Sequence, residues 1–131
     1  MTSQKIRKKN ENFRKTKKNI GVESWRIPTE LVKLLGDATY WIEHETFSED
    51  EIAIRFKHRI VSIHCFPNGN GRHSRLMADL IAEKIFDRKI FSWGQSNSNL
   101  SKDSNARSNY LKALKKADNG DFTDLLNFAR S

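Results

Sequence analysis

His64-Cys65-Phe66-Pro67-Asn68-Gly69-Asn70-Gly71-Arg72-His73-Ser74-Arg75 separates two apolar-periodic segments, so it reads as a loop carried by a helical scaffold. Within these twelve residues fall two glycines, two asparagines, two arginines and two histidines. Gly69 and Gly71 allow backbone geometry that a Cβ resists and let a ligand come close to the main chain. The next helix is predicted to begin at Gly71 or Arg72, so its free N–H groups and positive dipole end face the loop. Such an arrangement is an anion site, most naturally for phosphate. Arg72 and Arg75 lie three apart on one helical face and can add forked, charge-assisted hydrogen bonds. His64, at the end of the preceding helix, is the group here able to take a proton near neutral pH.

The segment before the loop carries Ile52, Ala53, Phe56, Ile60 and Ile63 on one face, and Ser48 with Glu51 forms a capping box at its start. The segment after it is predicted as a helix over 72–86 that buries Leu76, Met77, Leu80, Ile81 and Ile85. A helix over 29–44, with Thr29 as N-cap, places Leu31, Leu34, Leu35, Ala38, Trp41 and Ile42 on one stripe. Further on, 89–93 reads as extended and 95–101 as a polar loop. A helix over 103–117 carries Ala106, Tyr110, Leu111 and Leu114, Asn119-Gly120 stops it, and a last helix covers 122–130. Residues 13–28 turn at Asn19-Ile20-Gly21, and their β-branched and aromatic residues predict a short hairpin. The expected fold is mainly α, a small helical bundle with the anion loop between two core helices and one small β-hairpin.

With 131 residues, 37% apolar and 31% charged, the chain fits one soluble domain with a single core. No apolar run approaches the ~20 residues that span a bilayer, and the basic start lacks the apolar stretch of a secretory signal. The lone Cys65 excludes an internal disulfide and a Cys-based zinc site. These features suit a cytoplasmic protein. Of the net charge of +8, residues 1–18 hold +7, eight Lys and Arg against Glu11. Residues 1–12 read as a solvated, flexible tail, and no aromatic interleaves with the basic residues before Phe13, which argues against nucleic acid as a partner. His44, His58 and His73 have no metal-ligand spacing and read as surface or structural residues. Cys65 neighbours His64, but adjacent side chains point differently, which disfavours a Cys-His nucleophile.

The twelve-residue stretch resembles the signature of the Fic (filamentation induced by cyclic AMP) family, H-x-F-x-(D/E)-G-N-G-R-x-x-R. Asn19-Ile20-Gly21-Val22, Trp25-Arg26-Ile27-Pro28, Tyr40-Trp41-Ile42-Glu43-His44 and Phe91-Ser92-Trp93-Gly94 are similar to the bacterial subgroup labelled mobile mystery protein B. The resemblance covers residues 13–131 and implies a short version of the Fic helical bundle. It implies transfer of AMP, or a related phosphate-containing group, from ATP or another nucleoside triphosphate to a hydroxyl of a target protein. By that resemblance His64 is the base, Phe66 anchors the loop, and the main chain of Asn68, Gly69, Asn70 and Gly71 holds phosphates. Asn70 positions the anion, Arg72 grips the β-phosphate and Arg75 the γ-phosphate. The segment with Ile20, Gly21, Val22, Trp25 and Ile27 is the flap that registers an extended target peptide by strand-like pairing.

Three departures qualify the resemblance. Asn68 replaces the family's magnesium-binding acid, and an amide oxygen brings no charge, so Mg²⁺ is expected but weakly held. The self-inhibitory pattern (S/T)-x-x-x-E-(G/N) is missing, because the one candidate, Glu11-Asn12, has Arg7 four residues before it. Restraint then falls to an inhibitory or complementing partner protein. The chain also begins almost at the flap, where similar proteins carry further helical sequence, and an apolar groove left there would favour a homodimer or a partner. A second reading follows from Asn68 and the short start: a catalytically weak nucleotide- or phosphate-binding module, a remnant of a toxin–antitoxin-like or mobile-element protein.

Overall fold

Among the described residues, 13–15, 21–95 and 104–131 of the computed structural model, the chain forms five α-helices and no strand. These are α1 (Ile27–His44), α2 (Glu49–Ile63), α3 (Asn70–Leu80), α4 (Ser104–Asp118) and α5 (Thr123–Ala129). A 3-10 turn, Ser24–Arg26, leads into α1, and a π-helical turn, Ile81–Ile85, extends α3. The mainly helical fold is the expected one.

Helix α2 is the centre, packed against α1, α3, the π-helical turn and α5, while α4 lies on α5. Its start follows from its sequence: Ser48 Oγ accepts from the Glu51 N–H at 3.2 Å, and Glu49, Asp50 and Glu51 place negative charge at the positive dipole end. With partners on several sides, it buries Ile52, Ala53, Ile54, Phe56, Lys57, Ile60 and Ile63. Leu34, Ile27 and Leu125, each fully buried, complete the core from α1 and α5.

The remaining boundaries carry corrections. Helix α1 begins at Ile27 rather than Thr29, and Thr29 caps nothing. Pro28 sits in the first turn, where its fixed φ suits a helix and its missing N–H costs nothing, and the buried Ile27 anchors the turn. The hairpin expected over 13–28 is therefore absent from the described residues: Trp25 lies in the 3-10 turn, 76% exposed, and Ile27 lies in α1. Ile20 falls outside the described residues, as does the 1–12 tail.

On α3 the large residues expected inside, Leu76 and Leu80, are exposed, as is Ile85 in the π-helical turn. The inner face instead carries Asn70, Ser74 and Ala78, spaced four apart, with Ile81 and Ala82 following. Small residues let α3 approach α2 closely, and the extra residue of the π-helical turn resets the register after Leu80. Leu35 and Leu111 are likewise exposed, while Ala113 and Ala117 form the inner face of α4. Gly120, at φ +92°, ends α4 as expected.

Residues 89–93 form no strand. They cross from α3 to the end of α5, with the Phe91 N–H donating to Asp79 at 3.0 Å and the Ser92 and Trp93 N–H groups to the Ala129 carbonyl at 2.9 Å. Arg130 then locks the C-terminal end. Its guanidinium makes two bonds to Asp50, at 2.7 and 2.9 Å, donates to the Lys89 and Ile90 carbonyls, and covers the Phe91 ring at 4.0 Å. No helix of the described residues is long and apolar enough to cross a membrane.

Candidate functional site

The chain leaves α2 in a left-handed turn at His64, φ 58° and ψ 61°, an uncommon conformation for a residue with a side chain. Its N–H still reaches the Ile60 carbonyl at 3.3 Å. The loop that follows is closed by Asn70: its Oδ1 accepts from the Phe66 N–H at 2.9 Å, and its Nδ2 donates to the Phe66 carbonyl at 2.8 Å. The Asn70 side chain, 7% exposed, thus holds the loop's shape, so its influence on an anion runs through the main chain. Phe66 sits between Phe13 and His73, edge-on to each, at 5.9 and 5.0 Å between ring centres.

Helix α3 starts at Asn70, ahead of the expected Gly71 or Arg72, with Gly69 at φ +75° as its N-cap. Glycine brings no side chain to cap the first N–H groups, which leaves them and the positive dipole end to a ligand. Arg75 folds back toward this end, its Nη1 lying 3.5 Å from where a Cβ on Gly71 would sit. Arg72 is exposed, and Asn68 and Gly69 lie exposed on the loop. No carboxylate among the described residues pairs with Arg72 or Arg75. His64, Asn68, Gly69, Gly71, Arg72 and Arg75 therefore share one short stretch spanning the α2 end and the α3 start.

The electrostatics of the loop follow from burial and from cations. Burial, and then the Arg14 guanidinium, hold the His64 imidazole below its ordinary pKa, which favours the neutral, proton-accepting form. Burial pushes the Cys65 thiol up to about 11, so it remains a thiol and a poor nucleophile. Burial also holds His73 below its ordinary value. His58 lies off the site, its Nε2 2.9 Å from Asp118.

Flap residues reach the loop in part. Gly21, at φ +84°, packs so tightly that a Cβ on it would meet His64 Cβ at 2.6 Å. The Val22 N–H points to the Ile63 carbonyl at 3.4 Å. Ile27 is fully buried in α1 and unavailable to a target, because Pro28 draws it into the helix.

A metal ion fits the loop poorly. No group of three or more His, Cys, Asp or Glu able to hold one occurs among the described residues, and Asn68 supplies only a neutral amide oxygen.

Two residues escape a reading of the sequence. Arg14, inside a run of basic residues, folds over the end of α2. Lys57 is 2% exposed on α2, its Nζ 5.9 Å from the Trp93 ring centre, and burial followed by the Arg75 charge lowers its pKa to about 8. A signal for Lys57 was present, since it falls four after Ala53 and three before Ile60 on the apolar face.

No curated protein and no solved structure matches the chain. The model of the Fic/DOC family matches residues 2–82, a span that holds the whole loop and both helices beside it. That span is more than half of the 131 residues, and the chain belongs to the Fic/DOC family.

Proposed function

We propose that this domain transfers AMP, or a related phosphate-containing group, from a nucleoside triphosphate to a hydroxyl of a target protein. The observation that carries the reading is the joining of a neutral-leaning His64 to an uncapped helix N-terminus with Arg75 folded back toward it. In the reaction the hydroxyl oxygen forms a bond to the α-phosphorus while the bond from that phosphorus to the β-phosphate bridging oxygen breaks. His64 takes the hydroxyl proton, and pyrophosphate leaves. The N–H groups at the start of α3 bind phosphate oxygens, and Arg72 and Arg75 offset the charge that builds on the leaving group. Gly21 and Val22 line the His64 side of the loop, where a target peptide would be received. The side chains of the loop offer a hard cation only the neutral Asn68 amide oxygen.

Incubation with α-labelled ATP, GTP, CTP or UTP and candidate protein substrates, with and without Mg²⁺, tests this reading. Label should move to protein with the wild-type chain and fall at least ~100-fold with His64→Ala, the usual scale for loss of a general base. No transfer with any nucleotide by folded protein would overturn it. The second reading, a phosphate-binding module without transfer, is favoured by Asn68, and nucleotide titration that depends on Arg72 and Arg75 without label transfer would establish it.

A further inference from the structure

Two separate stretches, residues 13–15 and Gly21 with Val22, meet over the C-terminal end of α2. A helix end leaves its last carbonyls without amide partners, and a left-handed exit at His64 carries the chain away from them. Arg14 supplies the missing donors. Its side chain donates to the carbonyls of Ile63, at 3.1 Å, and of His64, and its own N–H donates to that of Cys65 at 2.8 Å. The same guanidinium donates to the Val22 carbonyl, which ties the second stretch to the first. A single residue, 6% exposed, thereby serves three consecutive carbonyls at the negative end of the α2 dipole.

Gly21 forms the opposing wall. A Cβ there would lie 2.7 Å from both the Arg14 guanidinium and the Ile63 carbonyl, and 2.6 Å from His64 Cβ. The left-handed turn is thus held on one side by a planar fork and on the other by bare backbone. We propose that Arg14, seated on Gly21, is the positioning residue that fixes the direction of the His64 side chain. It touches no reacting atom and acts through the backbone of His64. The catalytic arm of this inference rests on the reading of His64 as base, whereas the conformational arm stands without it.

Charge and geometry can be separated by substitution. Arg14→Gln removes the cation and the fork, and Arg14→Lys keeps the cation but reaches fewer carbonyls, since an ammonium lacks the planar fork. His64 is followed by NMR of ¹³C-labelled histidine rings, its signal assigned by its loss in His64→Gln. Arg14→Gln should shift the His64 ring signals and raise its titration midpoint, because a nearby cation is gone. Arg14→Lys should shift the ring signals while leaving the midpoint in place. In label transfer both variants should lower kcat about 10-fold or more with little change in nucleotide KM, the pattern of misplacement.

Signals and midpoint unchanged in both folded Arg14 variants would overturn the inference. If neither variant folds, Gly21→Ala, which presses on the same turn from the other side, must displace the His64 signals, and unchanged signals there would overturn it. Failure of the functional reading looks different: the wild-type chain transfers no label, yet His64 still responds to Arg14. A wild-type chain that transfers label at the same rate as Arg14→Lys removes the positioning role while leaving the base intact.

Discussion

The two ends of α2 are both gripped by arginine, in opposite ways. At the N-terminal end Arg130 forks onto the Asp50 carboxylate, with Arg88 adding a third contact at 3.0 Å, so charge meets charge. At the C-terminal end Arg14 meets main-chain carbonyls of α2 and of Val22. The first grip fastens the end of the chain to the core and is shared among several groups, including Ser48 and the acidic first turn. The second has one residue serving three carbonyls, next to the proposed base. Redundancy marks the end that holds the fold, and reliance on one arginine, joined only by the Val22 N–H, marks the end that holds the site.

Substitution can pull this contrast apart. Arg130→Met should cost about 3 kcal/mol in urea unfolding, because it takes two charge-assisted bonds from a half-buried Asp50, which keeps only Arg88, along with two carbonyl bonds. The difference should fade in acid. The Arg130 hydrogen bond holds the Asp50 carboxyl below its ordinary pKa, so its stabilising contribution is full above the ordinary value of 3.8 and is lost as pH falls through the folded one. A variant whose acid unfolding matches wild type would place the N-terminal grip elsewhere.

Between the ends, Lys57 puts into the core a cation with no ion-pair partner among the described residues, and Lys57→Met should raise stability by about 2 kcal/mol at pH 7. The sign follows from linkage. Lys57 titrates at about 8 when folded and near 10.5 when unfolded, so the unfolded chain holds more protons between those values. Wild-type stability therefore rises over that window, and the advantage of the variant shrinks there. An advantage independent of pH would assign the gain to packing alone. Ser48→Ala is the mildest test, expected to cost about 1 kcal/mol in thermal unfolding with the His64 NMR signals unmoved.

The parts of the fold legible in the sequence are those set by local rules. Ser48 with Glu51, the apolar face of α2 and the stop at Gly120 each follow from neighbours within a few residues. Leu76 and Leu80 mislead because size suggests burial, whereas close approach to α2 selects Ser74 and Ala78. The π-helical turn leaves no composition signal, and Pro28 outweighs the β-propensity of Val22 and Ile27. For the candidate site, the loop was legible because its residues are contiguous. Arg14 was not, since its role depends on carbonyls about fifty positions away in the chain.

Cys65 gives this arrangement an internal clock. It is the chain's single cysteine, 2% exposed, and its carbonyl is the one that the Arg14 N–H holds. A disulfide reagent can reach the sulfur only while the loop has lifted, so the modification rate counts openings of the site without any label being introduced. Bound nucleotide that bridges the loop and α3 would slow that rate in proportion to its occupancy. A quiet thiol thus turns the breathing of one helix end into a measurable half-life.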